Sequence, residues 1–236
     1  MDTRSAAAGL PCTLLFLLGS IASAVSPAET ASYPAAAPLS RYLEAGATEE
    51  IELARSAAPP SISANAEILT LTATGYRAAI KGENGFVCLV ERSWGAAFDD
   101  PEFWNPKIRG PICLNRAAAR SVLPAYLERT GWVIGGLPKS EMASRTRAAL
   151  AAKTFVAPEA GAMGYMMSKQ AYLSDADGHW HPHLMFYLPD VDAASWGANL
   201  AGSPIYAQQS DPEPVTTFFV PVTKWSDSTP ADTSPH

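Results

Sequence analysis

Hydrophobic positions along the chain recur every second residue in two blocks, and between these blocks they recur at close to helical spacing. Residues 68–71 (ILTL), 76–80 (YRAAI) and 86–90 (FVCLV) are short β-type runs, separated by Gly75 and by Lys81-Gly82-Glu83-Asn84-Gly85. Asn-Gly is a hairpin dipeptide, because both residues tolerate positive φ. The spacing therefore predicts an antiparallel meander whose last strand carries Cys88. Beyond residue 160 the two-residue period returns over 163–173, 181–188, 203–207 and 215–222, with the first pair meeting across Ser174-Asp175-Ala176-Asp177-Gly178.

Helices are expected elsewhere. Thr48 with Glu49, Glu50 and Glu52 ahead of Arg55 places a cap hydroxyl and acids at a helix start and a cation near its end, with Pro59-Pro60 as the stop. A second helix is predicted over 115–129, with Ala118, Val122, Leu123 and Leu127 on one side and Pro124 as a kink. A third, over 140–153, opens on Ser140 and Glu141 and carries Met142, Ala149 and Leu150 in its apolar set. Residues 94–111 hold prolines and aromatics without a period and read as a long loop. Strands in blocks with helices between them predict an α+β class: a largely antiparallel sheet of about six or seven strands with two or three helices, one domain over 39–225.

Composition narrows the setting. The chain has 236 residues, 47% hydrophobic and 17% charged, enough apolar material for a substantial core. Its 17 Lys and Arg against 23 Asp and Glu give a net charge of −6, the wrong sign for a nucleic-acid partner. Residues 1–24 have the three parts of a secretory signal: Arg4, an apolar run over 14–21, and the small triplet Ala22-Ser23-Ala24 before the expected cleavage. That run falls short of the roughly 20 apolar residues that span a bilayer. A secreted or periplasmic protein with no integral membrane segment after signal removal is the expectation. Residues 25–38 read as a flexible leader and 226–236 as a disordered tail, both poor in bulky apolar side chains.

An oxidising compartment changes the meaning of the cysteines. Cys12 leaves with the signal, so Cys88 and Cys113 are expected to form a disulfide. A catalytic thiol would want a cationic or helix-terminal setting, whereas Cys88 sits in an apolar strand-like run.

Candidate chemistry concentrates in Gly178-His179-Trp180-His181-Pro182-His183. Residues two apart on a strand lie about 6.6 Å apart on one face, so a His-x-His pair can converge on one ion, zinc or copper. Three ideal strand positions span about 13 Å, too far without a bend such as Pro182 could supply. His179, His181 and His183 are thus the candidate metal ligands, with Asp175, Asp177, Asp99, Asp100 or Glu102 as completing carboxylates; the competing reading is a strand end whose imidazoles bond to neighbours. The cupin spacing fails, because no Glu follows the pair until Glu213. Motifs for a serine nucleophile, a phosphate loop or a dinucleotide are absent from the sequence, which leaves open whether the protein is an enzyme. The second reading is a metal-free envelope or extracellular binding module that uses the aromatic loop 94–104, with Trp94, Phe103 and Trp104 as stacking candidates.

Overall fold

The structure is a computed structural model, and it describes Met1, residues 33–175 and residues 181–231. Its framework is one eight-stranded sheet in the order β2-β1-β3-β4-β5-β6-β8-β7. The strands are β1 (Glu67–Thr72), β2 (Gly75–Ile80), β3 (Val87–Glu91), β4 (Gly110–Leu114), β5 (Met163–Met166), β6 (His183–Pro189), β7 (Tyr206–Ser210) and β8 (Val215–Pro221). Helices among the described residues are α1 (Ala47–Arg55), α2 (Pro60–Ser63), α3 (Arg116–Ser121), α4 (Leu123–Ile134) and α5 (Lys139–Ala151). The α+β class and the single sheet agree with the sequence pattern, with one strand more than the upper expectation.

Four local expectations are corrected. The first concerns the meander: β3 does not hairpin onto β2 but lies parallel to β1, through Glu67↔Val87 and Ile68↔Cys88. β2 carries Arg77 and is mostly exposed, whereas β1 and β3 are buried on both faces. Placing β2 at the edge therefore lets the two apolar strands meet inside. Pro59-Pro60 does not simply end a helix; Pro60 takes the first position of α2, where its missing N–H costs nothing. Residues 110–114, assigned to the end of a loop and its exit, form the fully buried strand β4. The helix predicted over 115–129 breaks before Pro124 into α3, capped by the Asn115 side chain accepting from the Ala118 N–H, and α4.

Strand alternation sorts the core into two layers. On one face Ile68, Cys88, Val90 and Cys113 pack with Ala54, Ala57 and Ala58 from α1 and the segment after it. On the other, Leu69, Leu71, Leu89, Ile112 and Leu114 pack with Leu123, Tyr126 and Val133 of α4. The sheet is also two sequence-contiguous halves. Strands β1 to β4 form one and β5 to β8 the other, and they join through two residue pairs, Cys113↔Tyr165 and Leu114↔Gly164.

Cys88 and Cys113 form the expected disulfide, directly opposite each other in the β3–β4 ladder with Cα atoms 4.0 Å apart. They close a loop of 25 residues, for which loss of unfolded-chain entropy is worth about 3 kcal/mol. The Cys88→Ala/Cys113→Ala protein is expected to lose about that much stability. Urea unfolding checks this, and an unchanged midpoint would show that the crosslink contributes nothing.

Parts of both ends are ordered where the sequence suggested flexibility. Tyr33 donates its hydroxyl to Asp175 at 2.5 Å and packs on the core. Past Trp225, Ser226 N–H donates to Met167 C=O at 3.0 Å and Lys169 pairs with Asp227. No helix among the described residues is long and apolar enough to cross a membrane.

Candidate functional site

The helical layer does not fully cover the sheet on the α4 side, leaving a cavity of about 520 Å³. Its floor follows from strand alternation. Met185 and Tyr187 project from β6, and Thr217 and Phe219, their direct partners in register, project from β8. Met166 of β5 and Glu91 of β3 complete it. One wall is a single stripe of α4 and the turn before it, Val122, Ala125, Tyr126 and Arg129, spaced at helical intervals. The loop after β3 supplies another wall through Gly95, Ala96, Ala97, Pro101 and Glu102.

Most polar groups in this lining are already engaged. Arg129 donates to the carbonyls of Trp94 and Ala96, each at 3.0 Å, pairs with Glu213, and lies 4.4 Å from the Phe98 ring centre. That arrangement ties α4 to the aromatic loop and to the β7–β8 turn. Glu102 accepts from Ser174 Oγ at 2.8 Å, from the Asp175 N–H at 2.9 Å and from Asn105 Nδ2 at 2.8 Å. Asp175 accepts from Lys107, Tyr172, Tyr33 and Asn105; burial opposes its charge, but these donors hold it well below the usual carboxylate range. Arg92 donates away from the cavity to Glu50.

Glu91 is the exception. No hydrogen bond or ion pair to it exists among the described residues, while every other ionisable side chain lining the cavity has at least one polar partner. Protein surrounds its carboxyl even though the side chain opens to the cavity, and burial pushes its pKa up to about 7, with Arg129 acting against the rise. Ser93, two residues on and also in the lining, is 3% exposed and its hydroxyl is buried without a hydrogen-bond partner. Glu91 follows from the period of two: Val87, Leu89 and Glu91 share a face, so a charge stands where the pattern calls for an apolar residue. That break was the available sequence signal, lying just past the apolar run that ended the predicted strand at residue 90.

The sequence-predicted residues are placed differently. Trp94, Phe103 and Trp104 are 0%, 0% and 5% exposed. Trp94 packs 5.0 Å from Tyr42 and donates its indole N–H to Thr130, and Phe103 meets Trp104 edge-on at 4.7 Å. Their rings anchor the loop while its backbone and small side chains face the cavity. His183 lies on the buried face of β6 with its ring edge-on to Phe219, 5.4 Å between centres, and burial lowers its pKa to about 4. Its Nδ1 lies 3.2 Å from the His181 carbonyl oxygen. His179 and Asp177 fall outside the described residues. Among the described residues no three His, Cys, Asp or Glu side chains converge as a metal-binding group. Asp99 and Asp100 stay in the loop, where Asp100 accepts from the Glu102 N–H at 2.6 Å, and Asp175 is held by the contacts given above.

No protein-family model, curated protein or solved structure matches the chain.

Proposed function

We propose that this is an exported binding protein that takes a small amphipathic molecule into the cavity under α4, with Glu91 as the polar recognition group. The observation that carries the reading is a carboxyl without a hydrogen-bond or ion-pair partner among the described residues, on the floor of a cavity whose other described ionisable groups are all engaged. A carboxyl kept in such a place costs stability unless something else uses it. Apolar side chains of Met166, Met185, Leu173 and Phe219 offer a complementary surface for the rest of the ligand. Export is supported by the disulfide and by the signal-like first 24 residues. The reading keeps the aromatic loop as part of the binding wall, through its backbone rather than its rings.

The neutral fluorophore N-phenyl-1-naphthylamine is expected to bind once per chain, with a rise in emission. Ala125→Trp, which puts an indole into the α4 wall, is expected to abolish that rise while the far-ultraviolet circular dichroism and the urea midpoint stay native. A response that survives Ala125→Trp unchanged, or no response from the parent protein, removes the proposal.

A second reading, zinc or copper held by the histidine strand, draws on the neutral imidazole that burial imposes on His183, since neutral imidazole is the ligating form. His181 and His183 supply two donors, and further donors would have to come from elsewhere, His179 among them. Elemental analysis of untagged protein decides: stoichiometric metal, lost in His181→Ala/His183→Ala, supports it, and no metal after reconstitution ends it.

A further inference from the structure

The charges around the cavity bear on what it selects. Among the described residues, five carboxylate side chains line it against two guanidiniums. Both guanidiniums are committed, Arg92 to Glu50 and Arg129 to Glu213, so an anion entering would meet no uncommitted cation among the described lining residues. A neutral headgroup could hydrogen-bond to Glu91 in either form but brings no charge to meet the carboxylate. An ammonium answers it with charge and brings three N–H donors.

Space is kept in front of Glu91. A methyl group on Gly95 would come within 3.5 Å of both Glu91 Oε2 and Tyr126 Cε2, so the absent side chain leaves a recess bounded by a carboxylate oxygen and an aromatic ring. Tyr187 lines the same floor from β6, and ring faces beside a carboxylate suit a cation. The groups acting electrostatically with Glu91 are Tyr76 of β2, Tyr126 and Arg129 of α4 and Tyr187 of β6. Only Arg129 among them is cationic, and it faces Glu213 as well.

We infer that the cavity selects amphiphiles bearing a protonated amine, which sits in the Gly95 recess between Glu91 and the Tyr126 ring with its apolar part against Met166, Met185 and Phe219. This deepens the binding reading and rests on it.

Titration calorimetry at pH 8 with decylammonium, decanol and decanoate tests both levels separately. Decylammonium is expected to bind at least tenfold more tightly than decanol, with decanoate weakest. Glu91→Gln is expected to bring decylammonium to within about twofold of decanol. Lowering the pH to 6 is expected to weaken decylammonium about tenfold, because a proton must then leave Glu91 on binding. Gly95→Leu fills the recess without removing a charge and is expected to reproduce the loss of selectivity, so the result does not depend on one variant. If decanol or decanoate binds as well as decylammonium, or if Glu91→Gln and Gly95→Leu both keep the preference, the amine selection is wrong while the cavity reading stands. If none of the three binds, the cavity reading itself falls.

Discussion

Arg92→Met is expected to destabilise the protein by about 3–5 kcal/mol, the range for breaking a buried ion pair from one side. The Arg92 side chain has no solvent exposure. Its Nε donates to Tyr42 C=O at 2.6 Å, one terminal nitrogen donates to Val90 C=O at 2.5 Å, and the other donates to Glu50 Oε2 at 2.7 Å. Glu50 is itself 2% exposed and accepts from the Leu71 N–H at 3.4 Å. The guanidinium therefore joins β3, α1 and the turn at Tyr42 at a single point. Methionine fills a similar volume but leaves the Glu50 carboxylate buried without a counter-charge. The companion variant Arg92→Met/Glu50→Leu removes both charges and is expected to regain a large part of the loss. Urea unfolding of these two variants, the parent protein and Glu50→Leu completes the cycle. If the double variant is no better than Arg92→Met, the cost comes from packing rather than from the stranded carboxylate.

The second large effect is expected from Glu91→Gln, in the pH dependence of stability. Glu91 has its folded pKa raised from 4.5 to about 7, so its contribution is full below 4.5 and is lost as pH rises through 7. His183 has its folded pKa lowered from 6.5 to about 4, so its contribution is present above 6.5 and is lost as pH falls through 4. Between pH 4.5 and 6.5 the two slopes have opposite sign and similar size, and the metal-free parent protein is expected to show little change across that window. Removing Glu91 leaves the histidine slope alone. Glu91→Gln is expected to gain about 2 kcal/mol of stability from pH 4.5 to 6.5, and His183→Gln to lose about as much over the same interval. Asp175, with its pKa lowered, acts only in more acidic solution. Equal, flat profiles for parent and both variants would show that these side chains do not titrate as their burial requires.

Much of the fold was legible because each signal was local. Asn115 capping α3, the Pro124 break and the buried runs of β1 and β3 each depend on a few adjacent residues. Strand pairing was less so: whether β3 joins β2 or β1 depends on how many faces each strand buries, and β1–β3 pairing is a contact across the intervening β2. The site was the least legible part. Three histidines within five residues draw the eye to one strand, while the cavity gathers Glu91, Tyr126, Met185 and Phe219 from separate elements. Nothing in the spacing of those residues announces that they meet. What could be read was a single misfit, the Glu closing an otherwise apolar face of β3.

The narrow join between the two halves of the sheet has a consequence for folding units. Cys113↔Tyr165 and Leu114↔Gly164 link the ladders, flanked by the Asn115 N–H donating to the Met163 carbonyl and by the Arg109–Tyr172 bridge, so the amide protons along that seam have few neighbours to share an opening with. The cavity straddles it, with Glu91 and Gly110 on one side and Met166, Met185 and Phe219 on the other. An occupant is thus a stitch across a short seam of the sheet, and its binding energy goes into making the two halves open and close as one.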